Sequence, residues 1–257
     1  MCATLRRLRP WAWAATVAVA LGLGPSGCGH SPTLGPKERR IAAEQYVGQC
    51  FEVRHTSVIG DLYDDNEREL ISPYPFDEVF HQVDLLGAPM HPMHPRALVP
   101  AGTKVQVEAI SYPGPLSLAT RMLATPKDAI WLQLRLVPEH PDRQPLARPP
   151  LILPIVARAQ SVAAFDSAVG RYLAPVGDVS RWMLGRKPAM RVAIAHKEVV
   201  VGMSREEMET ALGPPWRWFS DQLPDGTELK VAWYPKNEVW LSQGQVVAQK
   251  PSRLMLR

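Results

Sequence analysis

The chain has 257 residues, with 29 Lys and Arg against 25 Asp and Glu, a formal net charge of +4. Three of those arginines, Arg6, Arg7 and Arg9, lie in the first 27 residues, which hold no acid. The remainder is therefore close to neutral and shows no clustered basic face, which excludes a nucleic-acid binder of the basic-patch kind. The 26 prolines, about twice the ordinary ~5% usage, exclude long helices and predict one or two small domains with many loops.

Residues 1–27 read as an export signal. The three arginines form a positive n-region, Trp11 to Leu23 is an apolar stretch, and the small residues "GPSGC" follow. That stretch spans about 20 Å as a helix, short of the roughly 30 Å hydrocarbon core, so it is not a membrane span. Ser26, Gly27 and Cys28 resemble the lipobox of bacterial lipoprotein signals, although Pro25 stands where that pattern has Leu. The resemblance implies that Cys28 is lipidated and becomes the mature N-terminus. Gly29 after the cysteine implies sorting to the outer membrane. The alternative is an ordinary secretory signal cut near Gly27. Two or three acyl chains, at about 0.8 kcal/mol per buried CH₂, hold a protein on a bilayer where one does not. Arg6-Arg7 also matches a twin-arginine signal weakly, but nothing later calls for a cofactor, and none is expected.

With Cys2 removed and Cys28 lipid-linked, Cys50 is a lone cysteine. Flanked by Phe51 and Val53, it is expected to be a buried strand thiol. Without acylation, a Cys28–Cys50 disulfide becomes possible in an oxidising compartment.

Residues 28–36 have the Gly/Pro/Ser composition of a tether. A short helix over Lys37–Tyr46 opens a β-rich domain over residues 37–160, with strands predicted at Cys50–Ile59, Thr103–Ser111, Ile130–Val137 and Leu151–Val156. In "GTKVQVEAI" the alternation sends Val105, Val107 and Ala109 inward. In "IWLQLRLV" Leu132, Leu134 and Leu136 share one face. Short strands between Pro-rich loops predict a small antiparallel barrel or sandwich. "PAGTKVQVEAI" is weakly similar to a strand of bacterial SH3-like barrels.

A helical connector is predicted over residues 161–190. Ser161 caps the first helix, whose stripe is Val162, Phe165, Val169 and Tyr172. "GDVSRWMLGRKP" is a second helix, ended by Gly185 and Pro188.

The domain at residues 191–257 has the firmest local signals. Val199 to Val201 predict a strand. Ser204 and Glu207 have capping-box spacing, and Met203 with Met208 that of a hydrophobic staple. Met208, Ala211 and Leu212 form the buried face. Gly213 supplies a left-handed C-cap, and Pro214 and Pro215 forbid continuation. So short a helix must be held by packing. Its support is a three- or four-stranded antiparallel meander, with Trp216 and Trp218, then Leu229, Val231 and Trp233, then Glu238–Leu241 and Gln245–Ala248. The fold class is thus α+β.

"GMSREEMETALGPP", "VAWYP" and "VWLSQGQVV" together resemble the BamE-like (SmpA/OmlA) family of small outer-membrane lipoproteins, over about Val199 to Gln249. That family has a helix before Gly-Met, where "HKEVVV" here predicts a strand. The resemblance implies a non-enzymatic role in assembling or stabilising envelope complexes. Trp216, Trp218 and Trp240 are the expected partner contacts, since aromatics supply much interface energy where exposed.

Other candidate chemistry is thin. Met90, His91, Met93 and His94 place soft ligands close together, a composition suited to copper, with His81 as a distant partner. Asp61, Asp64, Asp65, Asn66 and Glu67 lack an EF-hand's spacing and read as a solvated loop. No nucleophile elbow, phosphate loop or zincin pair is present, and no catalytic residue is assigned. The expectation is a non-catalytic, lipid-anchored binding or assembly factor at the outer membrane, its domains facing the periplasm, with an envelope protein as partner. The alternative is a periplasmic metal-binding protein using the Met/His loop.

Overall fold

A computed structural model describes residues 34–62, 65–75, 82–83, 89–90, 95–114, 129–138, 150–155, 159–223 and 226–252. The first part runs through α1 (Pro36–Tyr46), β1 (Cys50–Val53), β2 (Ser57–Leu62), β3 (Asp65–Ser72), β4 (Gln82–Val83), β5 (Pro89–Met90), β6 (Ala97–Val99), β7 (Lys104–Ser111), β8 (Ile130–Leu136) and β9 (Leu151–Ile155). After these come α2 (Val162–Gly170), β10 (Leu173–Pro175), α3 (Asp178–Leu184), α4 (Pro188–Ala195) and α5 (Arg205–Leu212). The chain ends in β11 (Arg217–Gln222), β12 (Glu228–Trp233), β13 (Asn237–Ser242) and β14 (Gln245–Pro251). The architecture is α+β, as the pattern predicts.

Eight strands form one curled sheet, in the order β10-β1-β7-β8-β9-β3-β2-β6. The predicted strand Cys50–Ile59 is broken into β1 and β2 at Arg54–Thr56, and β6 runs into β7 through Pro100–Thr103. The two bent runs oppose each other, with Glu52 opposite Lys104 and Ser57 opposite Val99. From β7 the pairing passes through β8, β9 and β3 back to β2, so it closes as a small barrel. Only β3 with β9 is parallel in that circuit. Closure removes most of the free edge that a sheet this short would otherwise expose.

Alternation fills the interior. Val105, Val107, Leu132, Leu134, Leu136, Leu151 and Leu153 are buried with Ile59, Ile71 and Val99. The expected inward Ala109 is displaced, because the register slips after Val107 and Glu108 is the extra residue. Ile110 then packs on the core instead. Helix α2 closes the barrel with Phe165 and Val169, each fully buried apolar side chain contributing roughly 1.5–3 kcal/mol. Ser161 caps this helix, accepting the Ala164 N–H at 3.2 Å. Tyr46 of α1 donates to Asp166 at 2.9 Å and meets the Phe165 ring edge-on, which fixes α1 to α2.

The second core lies between α3, α4 and α5 and a four-stranded antiparallel meander, β11-β12-β13-β14. Met203, Met208 and Ala211 are buried against Ala232, Tyr234, Val239, Leu241 and Val246. The capping box forms: Glu207 N–H donates to Ser204 Oγ at 3.2 Å, and Ser204 N–H donates to Glu207 Oε2 at 2.8 Å.

Three local expectations are corrected. Val199 to Val201 are not a strand, because the chain meets β14 only around Gly202 to Ser204 and has no ladder for the β-branched run to join. The helix α4 precedes them. Pro188, expected as a terminator, opens α4 at its first turn, where a missing N–H leaves no bond unmade. Gly213 is not left-handed α but has φ 89° and ψ 169°, a region only glycine occupies readily. A Cβ there would sit 3.1 Å from Pro73 and 3.2 Å from Tyr74.

Candidate functional site

The two cores meet at Arg54, His55 and Thr56, the polar triplet that bends β1 into β2. Thr56 has every backbone and side-chain polar group engaged. Its N–H donates to the Thr210 carbonyl (2.9 Å), and its Oγ1 donates to the Ile194 carbonyl (2.6 Å) and accepts from Ala101 N–H (3.2 Å). Its carbonyl accepts from Lys197 Nζ at 2.9 Å. Arg54 N–H donates to the Tyr172 carbonyl at 2.8 Å.

Lys197 is the central strut. Its ammonium also donates to the carbonyls of Pro73 and Ala211, the latter at 3.1 Å, so one cation joins the barrel to the C-terminus of α5. A helix C-terminus carries orphan carbonyls and partial negative charge, which suits a cation. Lys197 adopts φ 62°, rare for a residue with a Cβ. Glu52, wholly buried on β1, accepts the N–H groups of Val179 (2.9 Å) and Ser180 (3.0 Å) and the Ser180 hydroxyl (2.7 Å). A barrel carboxylate thus caps α3. Tyr74 and Tyr234 donate to the carbonyls of Pro214 and Gly213, both at 2.8 Å. Burial raises both phenols, so both hydroxyls remain donors.

Beside this joint lies a cleft of about 280 Å³, lined by Arg54, His55, Asp178, Trp182, Glu206 and Glu209 among others. Its titratable centre is His55, with Nδ1 2.8 Å from the Glu209 carbonyl and Nε2 2.8 Å from the Arg171 carbonyl. Burial pushes the imidazole down to about 4 against the pull of those carbonyls. The neutral ring carries one N–H and donates to one of them. Thr210 Oγ1 donates to the Glu206 carbonyl at 2.7 Å, and Glu209 pairs with Arg205 at 2.8 Å. Both the imidazole and the hydroxyl of this cleft are therefore held by main chain.

The residues singled out from sequence fall in different places. Trp216 is 40% exposed, its ring edge-on to Tyr74 and Trp233. Trp218 is half-buried on the helix side of the meander, with the Arg205 guanidinium 4.3 Å from its ring centre. Trp240, expected as a partner contact, is only 8% exposed, packed with Leu229 and Val231 on the other face with Lys250 over its ring. The alternation that puts it beside Val231 explains its burial. Cys50 is not a lone thiol but is disulfide-bonded, its partner lying outside the described residues.

Cys28 and the stretch His91 to His94 also lie outside the described residues, and Met90 is described only as part of the β5 backbone. Among the described residues no group of three or more His, Cys, Asp or Glu is placed to hold a metal, and no helix is long and apolar enough to cross a membrane. The joint escaped the sequence reading. Its one local signal is a charged and polar triplet, Arg54-His55-Thr56, inside an otherwise apolar run. Comparison with protein-family models, with curated proteins and with solved structures finds no match to this chain.

Proposed function

We propose that this chain is a non-catalytic binding or assembly factor of the bacterial envelope, exported by residues 1–27 and held at the outer membrane by lipid on Cys28. The observation that carries this reading is the C-terminal unit: α4 leading into Gly202-Met203, a capping-boxed α5, and an antiparallel meander behind it. The BamE-like resemblance implies a helix before Gly-Met, and α4 ends at Ala195, immediately before "HKEVVV", which is not a strand. The cleft adds support, since the imidazole and hydroxyl that acid–base or nucleophilic chemistry would use are bonded to carbonyls. Trp216, exposed beside the joint, is the contact we assign to an envelope protein partner.

The test is co-purification in mild detergent of the tagged full-length protein from its own envelope, with Cys28→Ala in parallel. Enrichment of one outer-membrane complex that depends on Cys28 is the expected result. No specific partner, with both forms equally soluble, would contradict it.

The Cys50 disulfide favours a second reading. The sequence has only Cys2 and Cys28 besides Cys50. A Cys28 sulfur joined to Cys50 cannot carry a lipid, and the product would be a free exported binding protein.

A further inference from the structure

We propose that this protein self-associates through β11. Two copies would pair these strands antiparallel about a two-fold axis at Phe219, making one eight-stranded sheet from two meanders.

The observation behind this is an unguarded edge. Among the described residues β11 has a single neighbour, β12, and pairs with it without a bulge from Arg217 opposite Trp233 to Gln222 opposite Glu228. Natural edges are usually blunted by shortness, bulges or proline. The opposite edge, β14, has a register break against β13 and ends in Pro251. The two outermost strands of the barrel sheet, β6 and β10, have three residues each. β11 has six residues, no proline and no bulge, and Phe219 on it is 38% exposed.

The ladder shows which backbone groups face outward. Leu223 continues the register opposite Thr227 and donates its N–H to the Thr227 carbonyl at 3.0 Å. At two-residue steps from it, Asp221, Phe219 and Arg217 turn their N–H and C=O groups toward β12, and those of Gln222, Ser220 and Trp218 face the open edge. Gln222 agrees, since its N–H is taken by the Asp221 carboxylate at 2.8 Å rather than by β12.

A two-fold axis at Phe219 uses this parity. Trp218 then faces Ser220 of the second copy and exchanges both backbone hydrogen bonds with it, twice by symmetry. Phe219 faces Phe219 in the closer, non-hydrogen-bonded type of pair. Arg217 faces Asp221 of the second copy, also twice, on the same side of the sheet as Phe219. Moving the axis to Trp218 sets Arg217 against Phe219, and moving it to Ser220 sets Phe219 against Asp221. Only the Phe219 axis opposes the charges, which is why a second copy, rather than another protein's strand, is the occupant the sequence of β11 fits.

The proposal does not rest on lipid anchoring, and a dimer is expected whether or not Cys28 is modified. Sedimentation equilibrium of the purified full-length protein in detergent, over a wide concentration range, should show a reversible monomer–dimer equilibrium. Arg217→Asp and Asp221→Arg should each weaken it roughly tenfold, because two attractive pairs become repulsive. The double variant should restore it. Phe219→Cys should give a disulfide-linked dimer on mild oxidation, whereas Val247→Cys, exposed on β14, should not. A monomer at every concentration would overturn the proposal. So would single charge reversals without effect, or a Phe219→Cys protein that does not cross-link.

Discussion

At the scale of single residues, Lys197 is where the account is most exposed to test. Its ammonium joins Thr56 and Pro73 of the barrel to the last turn of α5. Hydrogen bonds to a charged group contribute more than neutral ones, and orphaned half-buried carbonyls add to the loss. Lys197→Met, which keeps the stem and removes the charge, should lower stability by about 3 kcal/mol, read as a reduced urea midpoint. His55 gives a pH signature. Its folded-state pKa is lowered by burial to about 4, against ~6.5 for an unfolded histidine. Between those values the unfolded chain binds a proton that the folded chain does not, so stability rises with pH across that window. Acidifying from 6.5 to 4 should remove on the order of 2 kcal/mol, and below 4 this residue has no further effect. His55→Gln should flatten that part of the pH profile. A profile identical in the variant would show that His55 is not the group responsible.

At the scale of elements, α5 was legible because its signals are local. Ser204, Glu207, Gly213 and the two prolines lie within twelve residues, and the capping box forms as spaced. Ser204→Ala should cost about 1 kcal/mol, with faster amide exchange in the first turn of α5 as the readout. The barrel strands were legible for the same reason, from alternation alone. What was not legible is decided by distant partners. The β-branched run Val199 to Val201 lacks a neighbouring strand, a fact no local pattern carries. The bulge at Glu108 swaps Ile110 for Ala109, and only the partner register against β8 reveals it. Trp240 looks like any exposed aromatic until its cross-strand neighbour Val231 is known. Glu52 reads as a surface carboxylate on a strand, yet it caps a helix more than a hundred residues further on.

At the scale of the whole molecule, the barrel and the C-terminal unit are joined by polar contacts and by an apolar seam in which Ala101 and Ala174 of the barrel lie in the same buried cluster as Met203, Met208 and Ala211. The carbonyls of Thr210 and Ala211, which helix geometry leaves short of partners, are met by Thr56 and Lys197, and that of Glu209, which also accepts the Gly213 N–H, is met by His55. Neither half completes its hydrogen bonds without the other. Unfolding should therefore be a single transition, with tryptophan fluorescence, drawn largely from the C-terminal unit, coinciding with far-ultraviolet circular dichroism. Two separated transitions would show that the joint does not couple the cores. In the function we propose, Trp216 at the surface would contact an envelope protein partner, and that role would depend on a lipid tether at Cys28. The most direct measurement is the intact mass of the mature protein purified from its own envelope, with thiols alkylated before and after reduction. The account predicts a chain beginning at Cys28 with diacylglycerol on its sulfur, which requires the Cys50 disulfide to be one with Cys2 that is lost when residues 1–27 are removed, so that Cys50 is a thiol in the mature protein. An unlipidated chain in which Cys28 and Cys50 form one disulfide would contradict anchoring and leave a free exported protein.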